Sequence, residues 1–394
     1  MKYLSSPVAV FAGAIVGFIA CCLIGRGMTH KNMFRRFTRL NPYLEQETSF
    51  YPTASQLIAL VRAQCPPSSD KTLVIIGGNS VFNGSGQKRD DIWSEVLQRE
   101  LGDSYKVVNL SAPGAGVVDN GGVIFEALAH QYPRALLVAN TEPGYYKPAN
   151  RSAYAYLFWD AYYKGLLPPE AKAVANNAQG KPTSYEREFR LGRWLNSRLY
   201  FNDLWSGVAY RYVSTIWTSA LRSRSFEARK KLPDWYNKRP PVEANEAAFE
   251  KLLPLRLESF RQRLPFVAER FQRNADGSFV QTPESLHEEQ QEIAALLPAD
   301  LHSRSLIVFT PYNPWFLAHL TEDERQRAAI SYRNGVDLLT KEGFHALSAW
   351  DQGFVLSDFG DTVHLAPSGG HRIADLVAKA IRGMNAPATA PALN

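Results

Sequence analysis

Residues Thr72 to Gly86 read TLVIIGGNSVFNGSG. Leu73, Val74, Ile75 and Ile76 form a short unbroken apolar run closed by glycines. That is the pattern of a strand. Gly77 and Gly78 allow a sharp turn, and Asn79 and Ser80 follow it, ahead of a helix-like segment, DIWSEVLQREL, at 91–101. A hydroxyl held between a strand end and a helix is either a capping side chain or a nucleophile. The rest of the chain decides between them.

The same alternation recurs. YKVVNLSAPGAG (105–116) is a strand entering a glycine-rich loop, VIFEALAHQ (123–131) is a helix, and RALLVANTEPGYY (134–146) is a strand ending at Asn140. It resumes with RSLIVFTPYNPWF (304–316), a strand and loop. DERQRAAISYRNGVDLLTKEG (323–343) is a helix closed by Gly343, and FHALSAWD (344–351) is a short strand. SDFGDTVHLAPSGGHRIADLVAKAI (357–381) is a loop feeding a last helix. Strands alternating with helices predict an α/β domain with a mostly parallel sheet. Ligands bind such sheets at the carboxyl ends of the strands, where Ser80, Gly114 and Asn140 follow three successive strands.

The 394 residues exceed what one α/β unit needs. Residues 1–29 are expected to form an N-terminal transmembrane anchor, because Tyr3 to Gly25 carries no charge and is long enough to cross a bilayer core. A cleaved secretory signal, a lipoprotein signal ending at Cys21 and a buried core helix are the competing readings. Residues 30–70 read as a connector containing an amphipathic helix, TASQLIALVRAQ (53–64), and a loop, PPSSDK (66–71). The α/β domain is assigned to 71–146 and 304–384. Between them, 147–303 reads as a mainly helical, aromatic-rich insertion, and 385–394 as a flexible tail.

Composition is that of a folded protein, 45% apolar and 12% aromatic. The net charge of +6 is spread along the chain, with no dense basic stripe suited to nucleic acid. An anionic glycan or membrane surface fits better. Cys21, Cys22 and Cys65 offer neither a disulfide framework nor zinc spacing. The glycine-rich stretch at 77–86 lacks the ending and spacing of a phosphate loop.

A hydroxyl nucleophile needs a base, a partner that orients the base, and donors for the developing oxyanion. Ser80 supplies the hydroxyl. DTVH (361–364) supplies a carboxylate three residues before an imidazole, close enough to fold back under it. A glycine N–H at Gly114 and the side-chain amide of Asn140 are donor types that oxyanion holes use. His371 is a second candidate base, and Asp351 and Asp358 are second candidate acids. Gly114 also reads as a tight-turn glycine, with Gly116 nearby, and Asn140 as a loop cap. Asn79, Tyr145 and Tyr146 are candidate substrate-binding residues. The aromatic run from Tyr145 to Tyr163 reads either as insertion core or as a wall for a sugar or acyl group, and Lys147 and Arg151 as solvated charge or contacts to an anion.

These four segments resemble the blocks of the SGNH hydrolase superfamily, the GDSL esterases. IIGGNSVFNG is similar to the first block, with Asn79 where the family carries Asp. VVNLSAPGAG resembles the second, LLVANTEPG the third, and DTVHLAPSGGHRIADLVAKAI the last. The third block departs from the family's Gly-x-Asn-Asp, with Ala139 and Thr141 in place of Gly and Asp. The resemblance implies a three-layer α/β/α flavodoxin-like sheet. It implies Ser80 as nucleophile, His364 as base and Asp361 as its orienting acid, with an oxyanion hole from Ser80 N–H, Gly114 N–H and Asn140. No metal or organic cofactor is implied. The expected function is a serine esterase or O-acyltransferase on acyl esters, acetyl for example, of a cell-envelope polysaccharide. Its expected partners are the acylated glycan or a small ester, the membrane through the N-terminal helix, and a membrane acyltransferase. The alternative is a non-catalytic accessory protein of such a system that binds acyl donor or glycan. The expected location is the plasma membrane, single-pass, with the domain periplasmic. The basic flank Arg26, Lys31, Arg35, Arg36 and Arg39 argues for the opposite orientation.

Overall fold

The computed structural model describes residues 7–29, 54–85, 87, 91–112, 115–141, 155–169, 257–258, 260–265 and 297–384. Five strands build the sheet: β1 (Thr72–Ile76), β2 (Tyr105–Asn109), β3 (Leu136–Thr141), β4 (Ser305–Phe309) and β5 (His345–Ser348). All neighbours pair in parallel, in the order β2-β1-β3-β4-β5. This is a doubly wound order, and it reverses direction between β1 and β3, the crevice where such sheets bind ligands. The expected α/β class and parallel sheet are present.

Side chains alternate between the two faces, as the period of two requires. Val74, Ile76, Val107, Val138 and Val308 point to one core, where α4 (Trp93–Leu101) and the last helix, here α10 (Pro367–Met384), pack together. Leu73, Ile75, Val108, Leu137 and Ile307 point to the other. That side is covered by α2 (Ala54–Gln64), α5 (Val123–Leu128), α6 (Ala155–Tyr163) and α9 (Glu322–Lys341). Helices on both faces make three layers. The strand runs of β1, β3 and β4 are near-continuously apolar because both faces are buried.

α2 falls inside the segment assigned to the connector, yet Leu57 and Val61 are fully buried against the sheet. Its apolar stripe is a core face. α9 begins with a capping box in which Thr321 and Glu324 bond each other's backbone N–H. It ends at Gly343, which has a φ of 89°. Cys65 is a free thiol in the core, and burial pushes its pKa up.

α1 (Pro7–Thr29) is a 23-residue helix. Its apolar side chains are exposed, Val8 at 74%, Phe11 at 70% and Val16 at 66%. Among the described residues no helix is long and apolar enough to cross a membrane, so the transmembrane helix expected within residues 1–29 is not found there. Of the insertion, α6, Leu167, Phe260 and the residues just before β4 are seen joining the core. Most of 147–303, including Lys147 and Arg151, and the tail 385–394 lie outside the described residues.

Candidate active site

β1 delivers the chain to the carboxyl edge of the sheet, and two glycines then bring Ser80 into position. Gly77 packs against Gly121, where a Cβ would come within 2.4 Å of Gly77 Cα. Gly78 has a φ of 99°, and a Cβ there would lie 2.1 Å from Asn140 Oδ1. Only glycine fits both the left-handed conformation and that space. Asn79 caps the short helix α3 (Ser80–Asn83), its Oδ1 accepting from Val81 N at 2.9 Å.

Asn79 and Asn140 lock together. The Asn79 backbone N–H donates to Asn140 Oδ1 at 2.9 Å, and Asn140 Nδ2 donates to Asn79 Oδ1 at 2.9 Å. Asn140 is 1% exposed at the end of β3. One of its amide hydrogens therefore holds the turn that carries the serine. Asn79 acts through its oxygen in both side-chain bonds, a role an aspartate oxygen fills equally. The Asn for Asp departure thus preserves the bonding and removes a negative charge.

The acid and base come from the far end of the chain. His364 Nδ1 lies 2.7 Å from Asp361 Oδ2, and His364 Nε2 lies 2.8 Å from Ser80 Oγ. With Nδ1–H donating to the carboxylate, Nε2 is left as acceptor for the serine proton. Asp361 Oδ1 also accepts from Val363 N at 2.9 Å and His364 N at 2.8 Å. Partial loss of water around the carboxylate works to raise the Asp361 carboxyl, although 53% of the side chain stays exposed. The hydrogen bond and charge of His364, with the two backbone donors, outweigh it and hold the carboxyl down at about 2.

The competing residues stand elsewhere. His371 Nε2 bonds Asp91 Oδ1 at 2.8 Å on the surface. Asp358 is buried, accepting from Val355 N at 3.0 Å and Arg372 Nε at 3.1 Å. Asp351 is exposed at the end of the β5 turn. Gly114, Tyr145 and Tyr146 lie outside the described residues. The loop leading to Gly114 is nonetheless fixed on its near side. Ala112 N donates to Gly78 O at 3.1 Å, and Asn83 Nδ2 donates to Ser111 O at 2.8 Å.

Sequence reasoning missed three supports. Buried Gln87 donates to Leu365 O at 3.1 Å and accepts from Trp93 N at 2.9 Å, tying the segment after Ser80 to the residue after His364. Asn313 Nδ2 donates to Asp361 O at 3.1 Å. Arg263 Nη1 donates to Thr362 Oγ1 at 3.0 Å. No local pattern marks these residues, since each is defined by a distant partner. An open depression between Asp70–Thr72, Asp103–Tyr105 and Arg134 lies at the amino ends of β1 and β2, the edge opposite Ser80. It joins no nucleophile to a base.

The arrangement is that of an alcohol able to pass its proton to an imidazole whose cation is stabilised by a carboxylate. No family model matches the chain, and no curated protein matches it. The chemistry of the site therefore stands on its geometry.

Proposed function

We propose that this chain is an SGNH-type serine esterase or O-acyltransferase acting on acyl esters of a cell-envelope polysaccharide. The observation that carries this reading is the unbroken line from Ser80 Oγ through His364 to Asp361, with contacts of 2.8 and 2.7 Å. Ser80 Oγ attacks the ester carbonyl carbon while its proton passes to His364 Nε2. The carbonyl oxygen becomes an oxyanion, met by the Ser80 N–H at the start of α3, by the second Asn140 amide hydrogen and by Gly114 N–H. The intermediate collapses, the ester C–O bond breaks, and the leaving alkoxide takes the proton from Nε2. Water or a sugar hydroxyl then attacks the acyl-enzyme, gives its proton to Nε2, and releases Ser80 with the proton returned. Asp361 stays ionised throughout and stabilises the imidazolium.

The exposed apolar surface of α1 and the uncharged run to Gly25 support anchoring in the plasma membrane; the proposed envelope substrate, against the basic flank, puts the α/β domain on the extracytoplasmic side. Protease added to sealed cells and to inverted vesicles tests that orientation; digestion only in inverted vesicles refutes it. The chemistry is tested with a fluorophosphonate probe on wild type and Ser80→Ala. Labelling of the wild type that disappears in the variant is the expected result. A folded wild type that never labels overturns catalysis and favours the accessory role.

A further inference from the structure

The Asp361–His364 hairpin projects from the domain, with the Asp361 side chain 53% exposed and that of His364 25% exposed. Its base is firm. Gly360 N donates to His364 O at 2.7 Å, and the buried pair Phe359 and Leu365 bridge beneath it. At its tip Asp361 is exposed and Thr362 is buried, so the direction of the imidazole depends, beside its bonds to Asp361, on what ties the tip from outside. Among the described residues two side chains do so, from different parts of the chain.

Asn313 is the first. Its Oδ1 accepts from Trp315 N at 2.9 Å, capping α8 (Pro314–His319). That bond sets the amide orientation, which leaves Nδ2 aimed at Asp361 O. Asn313 is 1% exposed, so its direction is held by its surroundings. Arg263 is the second. It belongs to the helical stretch 260–265 of the insertion and donates to Thr362, which is 5% exposed and lies between the acid and the base. Phe260, three residues earlier and so on the same helical face, is 1% exposed. It packs against Trp315 and Phe316, with ring centroids 5.5 and 5.4 Å away. The insertion helix thus grips α8 with one residue and the hairpin tip with another.

We propose that Asn313 and Arg263 are positioning residues that aim His364 at Ser80, and that the insertion thereby sets the rate of acylation. This rests on the triad reading. Arg263 and Asn313 act through Thr362 and Asp361, so their loss misdirects the base without removing it, and misplacement on the ångström scale costs up to roughly 100-fold.

The test is the concentration dependence of fluorophosphonate labelling of the full chain, with thermal unfolding recorded alongside. Asn313→Asp keeps the oxygen that caps α8 and replaces the N–H that holds Asp361. Arg263→Met and Thr362→Val each remove one side of the outer tie. Each variant is expected to lower the saturating labelling rate about tenfold while the half-saturating probe concentration holds; the unfolding midpoint is expected to hold in Arg263→Met and Thr362→Val and to fall in Asn313→Asp, which buries a carboxylate. Arg263→Lys is expected to restore most of the rate, and the Arg263→Met, Thr362→Val double variant to be no slower than either single one. Folded variants that label at the wild-type rate overturn the inference and leave the triad standing. A loss of rate that only tracks a lowered midpoint overturns it too, because Arg263→Met alters an exposed side chain. If the wild type itself never labels, the functional reading falls and this one with it.

Discussion

The two halves of the proposed catalytic apparatus are held in opposite ways. The serine side is set by crowding. Gly78 leaves no room for a Cβ, Asn140 and Asn83 are buried, and α3 sits on Phe82, which is fully buried against Trp93 with ring centroids 4.4 Å apart. The acid–base side is an exposed hairpin set by hydrogen bonds to its own backbone and to Asn313 and Arg263. Damage to the packing around the serine is expected to show as misfolding together with lost chemistry. Damage to the outer ties of the hairpin is expected to show mainly as lost chemistry.

The sharpest break is removal of the reacting groups. Ser80→Ala or His364→Ala is expected to lower ester turnover roughly 10⁴-fold or more, read as hydrolysis of a chromogenic acetyl ester, with the unfolding midpoint near that of the wild type. Asp361→Asn comes next, at roughly 10³-fold in kcat, because the imidazole loses its tautomer control. It also carries a pH signature. Asp361 is held at about 2, below its ordinary 3.8, so its contribution to stability is fully present above 3.8 and is lost as pH falls through about 2. Acid unfolding curves are expected to lose that component in the variant.

Gly78→Ala tests the crowded side. The new methyl meets Asn140 and the left-handed φ disfavours it. Activity is expected to fall about 100-fold together with about 1–3 kcal/mol of stability, measured by denaturant titration. A stable, slow enzyme would contradict the contrast. Asn79→Asp is gentler: both acceptor bonds survive, and kcat is expected to change by less than about threefold.

Glu126 lies outside both halves. It is buried on α5, and burial first, with Asp300 adding to it, raises its carboxyl to about 8. A raised folded value means its stabilising effect is full below 4.5 and is lost as pH rises through about 8. Glu126→Gln is expected to flatten that decline, by a few kcal/mol at its upper end, without altering turnover. Unfolding midpoints measured from pH 4 to 9 check it.

What was legible in the sequence follows the same division. The unbroken apolar runs of β1, β3 and β4 announced strands because both faces of a parallel sheet are buried. The three-residue offset from Asp361 to His364 announced an acid–base pair because local geometry closes it. Gln87, Asn313 and Arg263 gave no signal. Their partners lie 278, 48 and 99 positions away, and two of the three bond backbone carbonyls, which have no identity to match. The amphipathic pattern of α2 was readable, but burial against the sheet is a tertiary fact. The ANTE segment reads differently once built: Asn140 ends β3 buried and bonded to Asn79, and Thr141 is a buried β-strand residue pairing with Phe309.

The contact between Ser80 and His364 spans 284 positions, and Gln87 reaches Leu365 and α4 gains its packing on α10 only when the end of the chain has docked. During synthesis the serine emerges long before the imidazole exists. On the proposed chemistry a nascent or truncated chain lacks the base for its alcohol, and reactivity waits for the last stretch of the chain to dock.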